Sequence, residues 1–197
     1  LWCVFKPFIE GSLTIFDGAG YQEIFPIMGE EHLELDIISS FDANSRINKI
    51  KHCNLCLITK PHKTLIQKVE KSIDAGVNMI QFRCKSGSDI DNLSIAKELA
   101  SICKNNNSIL IINDRIDIAI ASDADGIHLG QDDIPIEDAR NIIGDEKIIG
   151  LSTHSLEEIR NAQSLSCDYI GIGPIYPTNS KPGRVHLGPD FLKQLPK

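Results

Sequence analysis

From residue 52 onward, apolar positions recur in two alternating periods. Residues 53–59 form a short apolar run that reads as a strand. Leu65, Ile66, Val69 and Ile73 follow at helical spacing, and Gly76 stops that helix. The alternation then repeats. Strands are expected at 77–84, 108–113, 126–130, 147–152 and 168–175. Between them lie helices carrying Leu93, Ala96, Leu99, Ala100 and Cys103; then Ile116, Ala119 and Ile120; then Ala139, Ile142 and Ile143, started by Pro135. Ser155-Leu-Glu-Glu158 is a capping box that opens the fifth helix. Residues 187–195 are expected to begin a sixth. Six βα units with near-continuous apolar strands imply a parallel sheet covered by helices.

Before residue 52 the pattern differs. Residues 12–16 lead into the turn signal Asp17-Gly18, and 21–25 and 32–37 alternate again, so this part reads as a β-rich hairpin or meander. Residues 39–50 are polar and mixed, which suits a linker or a lead-in helix. Two parts are therefore expected: an unassigned β-rich segment with its linker at 1–51, and a βα domain at 52–197.

A doubly wound sheet and a (β/α)8 barrel both fit six βα units. Polar residues sit at the carboxyl end of nearly every strand, as in a barrel whose site draws on many strand ends. A doubly wound sheet would concentrate them in one crevice. The fold class expected is therefore α/β of the TIM-barrel type, with about six of its βα units present.

Composition narrows the function. The 197 residues are 42% hydrophobic and 24% charged, with a net charge of −7. An acidic chain offers no global field for nucleic acid or an anionic membrane, so neither partner is expected. No apolar run approaches a membrane span. Cys53-Asn-Leu-Cys56 is the one C-x-x-C, and no second pair completes a zinc site. Placed on a strand, these two cysteines would face opposite sides. Buried thiols in a reducing cytoplasm are the expectation.

The strand ends carry the chemistry. Gln81, Arg83 and Lys85 alternate onto one side of the second strand, away from Phe82 and Cys84. Two cations and an amide there form an anion site, since Arg clamps phosphate oxygens bidentately and Lys adds a point charge. Asn113 and Asp114 end the third strand, and Asp133 follows the fourth. Two carboxylates beside an anion site suggest Mg2+ held between protein and a pyrophosphate. Asp132 competes with Asp133, and spacing alone does not choose. Ser152 and His154 end the fifth strand in hydrogen-bonding roles, without the third group a catalytic triad needs. Thr178, Ser180 and Lys181 bring two hydroxyls and a cation to the long loop after the sixth strand.

Five runs carry a resemblance: Gln81-x-Arg-x-Lys85; Ile-Asn-Asp-Arg ending at Arg115; Asp-Gly-Ile-His-Leu-Gly-Gln-Asp-Asp ending at Asp133; Gly-Leu-Ser-Thr-His-Ser ending at Ser155; and Gly-Pro-Ile-Tyr-Pro-Thr-Asn-Ser-Lys ending at Lys181. Over residues 53–197 they resemble the thiamine-phosphate synthase family in order and spacing. The resemblance implies a barrel enzyme that joins hydroxymethylpyrimidine pyrophosphate to a thiazole phosphate, releases pyrophosphate and uses Mg2+. It implies that Gln81, Arg83, Lys85 and Asn113 bind the pyrimidine pyrophosphate and that Asp114 and Asp133 hold Mg2+. Ser152 and Lys181 would contact pyrophosphate, with Thr178 and Ser180 near the thiazole phosphate and the departing group. Arg83, Lys85 and Lys181 would act catalytically by stabilising charge on the leaving group. A related branch, the thiazole tautomerases, carries different motifs.

Two departures from the family qualify this expectation. Its last two βα units, whose loops bind the thiazole phosphate, have no counterpart before Lys197, and residues 1–50 match nothing in it. The chain is expected to be a fragment or divergent fusion that binds the pyrimidine pyrophosphate better than the thiazole phosphate and turns over slowly. The alternatives are a first segment that partly fills the gap, a non-catalytic phosphate-compound-binding remnant, or a tautomerase-like protein. An open sheet would leave the first and sixth strands with unpaired edges, an aggregation liability. A homo-oligomer is compatible with that state.

Overall fold

In a computed structural model the protein is described at residues 4–7, 14–15, 40–177 and 185–195. Two short strands come first, β1 (Val4–Pro7) and β2 (Thr14–Ile15), followed by helix α1 (Ser40–Lys51). The βα units then run β3 (Cys56–Ile58), α2 (Leu65–Asp74), β4 (Met79–Phe82), α3 (Asp89–Asn105), β5 (Ile109–Asn113) and α4 (Ile116–Ala121). They continue through β6 (Gly126–Leu129), α5 (Ile136–Ile143), β7 (Ile148–Thr153), α6 (Leu156–Ala162) and β8 (Tyr169–Ile172). Pro189–Gln194 is a single 3-10 helix rather than the α-helix expected there.

Strands β3 to β8 pair in chain order and in parallel, giving six parallel strands. Strand β1 adds antiparallel to β8, and β2 adds to β1. The edge expected to stand open at the sixth βα strand, β8, is therefore paired, whereas β3 ends the order. The expected strands at 21–25 and 32–37 lie outside the described residues.

Helix placement separates the two candidate architectures. Ile80 and Phe82, Leu110 and Ile112, Ile127 and Leu129, Ile149 and Leu151, and Ile170 and Ile172 pack in one cluster with buried residues of α2 to α6, among them Val69, Leu99, Ala119, Ala139 and Ile159. All five helices thus cover one face of the parallel strands. The alternate positions Met79, Ile109, Ile111, Ile148 and Tyr169 form a second cluster on the other face, with Ile50 of α1. Helices on one face are what a curved, barrel-type sheet requires, and a doubly wound sheet would carry them on both. Burial on both faces explains the absence of polar alternation along these strands. Each buried Ile or Leu stabilises the fold by roughly 1.5–3 kcal/mol.

Helix phase was not fully legible. Ile120 and Ile142, expected inward, are about half exposed. The caps were better specified. Ser155 Oγ accepts the Glu158 N–H at 3.1 Å, as the capping box requires. Glu158 reaches one residue further than usual, its Oε2 accepting the His154 N–H at 2.6 Å.

Charge ties the amino ends of the strands together. Asp168, just before β8, accepts from Arg46 of α1 at 2.8 Å, from Arg140 of α5 at 2.8 Å and from the Ile149 N–H at 2.8 Å. Arg140 spends its remaining donors on the carbonyls of Gly144, Lys147 and Ser166. Asp125, just before β6, accepts from Lys49 Nζ at 3.1 Å and from the Leu110 N–H at 3.0 Å. Helix α1 thereby seats Ile50 in the inner cluster and clamps two strand starts.

The C-x-x-C reading needs correction. Cys53 precedes β3 instead of lying on it, and both Cys53 and Cys56 pack against the same inner cluster. Burial, and then the Asp125 charge, push the Cys53 thiol up to about 12. Burial likewise raises Cys103 and Cys167 to about 12. These are inert thiols at neutral pH. Among the described residues, no helix is long and apolar enough to cross a membrane.

Candidate active site

Parallel strands place all their carboxyl ends on one rim, and the polar residues gather there. Strand β4 ends at Phe82, so Arg83 and Lys85 lie just past it, while Gln81 stays on the inner face with 3% exposure. The Gln81 amide donates to Asn113 Oδ1 at 2.7 Å across the β4–β5 pair. Its own Oε1 is buried and has no hydrogen-bond partner among the described residues. A buried acceptor left unpaired costs about 1–3 kcal/mol. An acceptor in that state calls for a donor, from a ligand or an ordered water.

The Arg83 N–H donates to Thr59 Oγ1 at 3.0 Å. This fixes its backbone, while the half-buried guanidinium makes no hydrogen bond or ion pair among the described residues. Lys85 reaches Asp114 Oδ2 at 3.3 Å. Asp114 sits at φ +63°, the left-handed region that Asp and Asn tolerate better than most residues. That turn lets its N–H donate to the His128 carbonyl at 2.9 Å, one strand over, while the carboxylate faces the rim.

Asp133 folds back over the β6–α5 loop, where its Oδ2 accepts the Gly130 N–H at 2.6 Å. Burial, and then the facing Asp133 carboxylate, hold the Asp114 carboxyl above its usual range, and Lys85 pulls the other way. Two like charges therefore press on each other beside one exposed lysine. Asp132 is exposed and makes no hydrogen bond among the described residues. Arg115 is held by Asp89 and Asp117 on the helix side.

Strands β6, β7 and β8 add a second polar cluster, and register explains it. His128, Gly150 and Tyr169 are direct neighbours in one row across the three strands. Gly150 leaves the middle of that row without a side chain. The fully buried Tyr169 ring lies over it, and Tyr169 Oη reaches His128 Nδ1 at 3.0 Å. His128 Nε2 meets Ser152 Oγ at 2.9 Å. Gly171 allows this too, since a Cβ there would sit 3.3 Å from His128 Cε1. Gln131 Nε2 holds the Ser152 carbonyl at 2.6 Å. His154 hydrogen-bonds through Nδ1 to the Gly173 carbonyl at 2.5 Å and so serves the loop after β8.

Of the residues singled out from sequence, the structure joins Gln81 to Asn113 and Lys85 to Asp114, brings Asp133 to face Asp114, and places Arg83 just past the end of β4 with its N–H on Thr59. Ser152 belongs to the second cluster, where its hydroxyl meets His128. Thr178, Ser180 and Lys181 lie outside the described residues. Sequence reasoning missed Thr59, His128, Gln131 and Tyr169. His128 did carry a signal, because it sits two residues before Gly130 on the inner face of an otherwise apolar strand.

A family model described as thiamine monophosphate synthase matches residues 55–197. A thiamine-phosphate synthase of Prochlorococcus marinus is 56% identical over 163 residues, which cover 83% of this chain and 47% of that protein. The thiamine-phosphate synthase of Parasynechococcus marenigrum is 47% identical over 156 residues, covering 79% and 45% respectively. A solved thiamine phosphate pyrophosphorylase from Pyrococcus furiosus superposes with a TM-score of 0.65 at 33% identity, over 75% of this chain and 70% of that one. The chain spans about half the length of the curated relatives it matches.

Proposed function

Because this chain belongs to the thiamine monophosphate synthase family, we propose that its rim binds hydroxymethylpyrimidine pyrophosphate and, in the whole protein, joins it to a thiazole phosphate with release of pyrophosphate. The parallel strands described here are then part of a (β/α)8 barrel. The observation that carries the reading is the orphaned Gln81 Oε1, buried beside Asn113 on the strand that leads directly into Arg83 and Lys85. An aminopyrimidine would supply the missing N–H, and a pyrophosphate tail suits the two cations that follow β4.

Asp114 and Asp133 fit a hard divalent cation. Among the described residues no three His, Cys, Asp or Glu side chains converge. Mg2+ commonly takes one or two carboxylates and completes its shell with water and substrate phosphate. Burial, and then the facing Asp133 carboxylate, raise the Asp114 carboxyl, and a bound dication would offset the like-charge part of that rise. Mg2+ would neutralise charge on the leaving group when bound.

The chain's own residues do the rest. Gln81 and Asn113 orient the pyrimidine. Arg83 and Lys85 hold the pyrophosphate oxygens as the C–O bond breaks and its electron pair departs with pyrophosphate. The thiazole nitrogen then supplies the pair for the new C–N bond. Ser152 donates a hydrogen bond to the departing group, Lys181 is assigned to the same pyrophosphate, and Thr178 and Ser180 to the thiazole phosphate and the departing group. Little acid–base work is needed, in keeping with a site rich in Arg, Lys and Asp.

Calorimetric titration of the pyrimidine pyrophosphate, with and without Mg2+, tests this. Arg83→Ala and Lys85→Ala are each expected to weaken binding by about tenfold or more, the loss of a charge-assisted hydrogen bond. Asp114→Asn and Asp133→Asn are expected to remove the Mg2+ dependence, and Asp132→Asn to keep it. Unchanged affinity in folded Arg83 and Lys85 variants refutes the assignment.

A further inference from the structure

The polar cluster behind Ser152 contains two rings that no step above uses. His128 is 6% exposed and Tyr169 fully buried, so neither is placed to touch a ligand broadly. Both are nevertheless wired in series: Tyr169 Oη to His128 Nδ1 at 3.0 Å, and His128 Nε2 to Ser152 Oγ at 2.9 Å. The backbone is cut to fit them. Gly150 sits in register between the two rings, and Gly171 leaves room for the imidazole edge.

One imidazole between two hydroxyls can be wired in two senses. In the first, Tyr169 O–H donates to Nδ1 and Nε2–H donates to Ser152 Oγ. The Ser152 proton is then free to donate outward. In the second, Ser152 donates to Nε2 and Nδ1–H donates to Tyr169. Ser152 then turns only lone pairs toward the rim and would repel a phosphate oxygen. The two senses present opposite faces of the same hydroxyl to an anion.

We propose that Tyr169 and His128 are positioning residues that fix the Ser152 hydroxyl as a donor to the pyrophosphate group, with Tyr169 selecting the imidazole tautomer. This rests on the assignment of Ser152 to pyrophosphate made above. No proton is transferred. The relay acts by orientation, so that the donor is already aimed before the anion arrives. Tyr169 thereby affects an anion it does not contact.

Inorganic pyrophosphate with Mg2+ is the probe, and calorimetry on the full chain gives the affinity, with thermal melting to establish folding. Ser152→Ala is expected to weaken binding about tenfold. Tyr169→Phe keeps the ring over Gly150 and removes only the hydroxyl, and it is expected to weaken binding several-fold. The double variant is expected to bind no more weakly than Ser152→Ala, because Tyr169 acts only through that serine. A purely structural role predicts that the two losses multiply. His128→Gln, whose amide N–H can replace Nε2–H, should bind within a few-fold of wild type, whereas His128→Leu should match Ser152→Ala. Wild-type affinity in Tyr169→Phe, or multiplied losses in the double variant, overturns the relay while leaving the site standing. Wild-type affinity in Ser152→Ala overturns the relay and the pyrophosphate assignment together.

Discussion

Replacing Gly150 with alanine adds one methyl group to the middle of the row shared by His128 and Tyr169. An ideal Cβ at that position falls on the Tyr169 ring, against Cζ and 2.5 Å from both Cε1 and Oη. These are rigid aromatic atoms in a residue with no solvent exposure. The ring has to leave its place, since neither partner is the end of a flexible chain. Overpacking of this kind costs about 1–3 kcal/mol. Moving Oη also breaks the bond to His128, a loss of about another 0.5–1.5 kcal/mol.

The expected destabilisation is therefore about 1.5–4.5 kcal/mol. Equilibrium urea unfolding reads it directly. With a slope of about 2 kcal/mol per molar, the midpoint should fall by roughly 1–2 M. A second variant isolates the cause. Tyr169→Leu lacks the atoms that clash, so Gly150→Ala made in that background should cost less than about 1 kcal/mol. If Gly150→Ala costs the same in both backgrounds, the clash with Tyr169 is not the reason for glycine here.

Asp114→Asn should change the pH dependence of stability in metal-free buffer. Burial, and then Asp133, raise the native carboxyl above its ordinary value, so the native state keeps a proton that the unfolded chain has released. The contribution of this group to stability then falls as pH rises from the ordinary value through the raised one. Asparagine tolerates the same left-handed backbone, so the variant should melt higher than wild type at about pH 7 and lose that advantage near pH 3; a lower melting temperature at neutral pH contradicts the reasoning. Asp168→Ala should cost about 3–5 kcal/mol by urea unfolding, because it strands two nearly buried guanidinium groups. Lys147→Ala, which removes an ion pair whose Asp123 partner is 81% exposed, should cost less than about 1 kcal/mol in the same assay.

The βα alternation was legible because each parallel strand is buried on both faces and each helix on one, so period and run length change together. Strand ends were legible for a similar reason: Asn113, Asp114 and Ser152 break apolar runs where the strands reach the rim, and Gln81 does so one residue earlier, while still buried. Pairings between distant segments left no such mark. Nothing local in Val4–Pro7 announces that it will lie antiparallel to Tyr169–Ile172. The His128, Gly150 and Tyr169 row depends on register across three strands, and register is a property of the sheet. Short helices carried the phase errors at Ile120 and Ile142, since two turns of α4 or α5 leave little to distinguish an inward position from a flanking one.

Helix α1 has a practical consequence for anyone shortening this chain. Family matching begins at residue 55, and that boundary is a natural place to cut for expression. Such a cut would discard Arg46, Lys49 and Ile50, three contacts that reach the starts of β6 and β8 and the inner cluster. The trimmed fragment would keep every described residue assigned to the chemistry, yet Asp168 would lose one of its two guanidinium partners and the inner cluster would gain an open, greasy floor. Poor solubility of that fragment would then report on the missing plug and on the β8 edge bared by the loss of β1, and carry no information about whether the rim above binds its ligand.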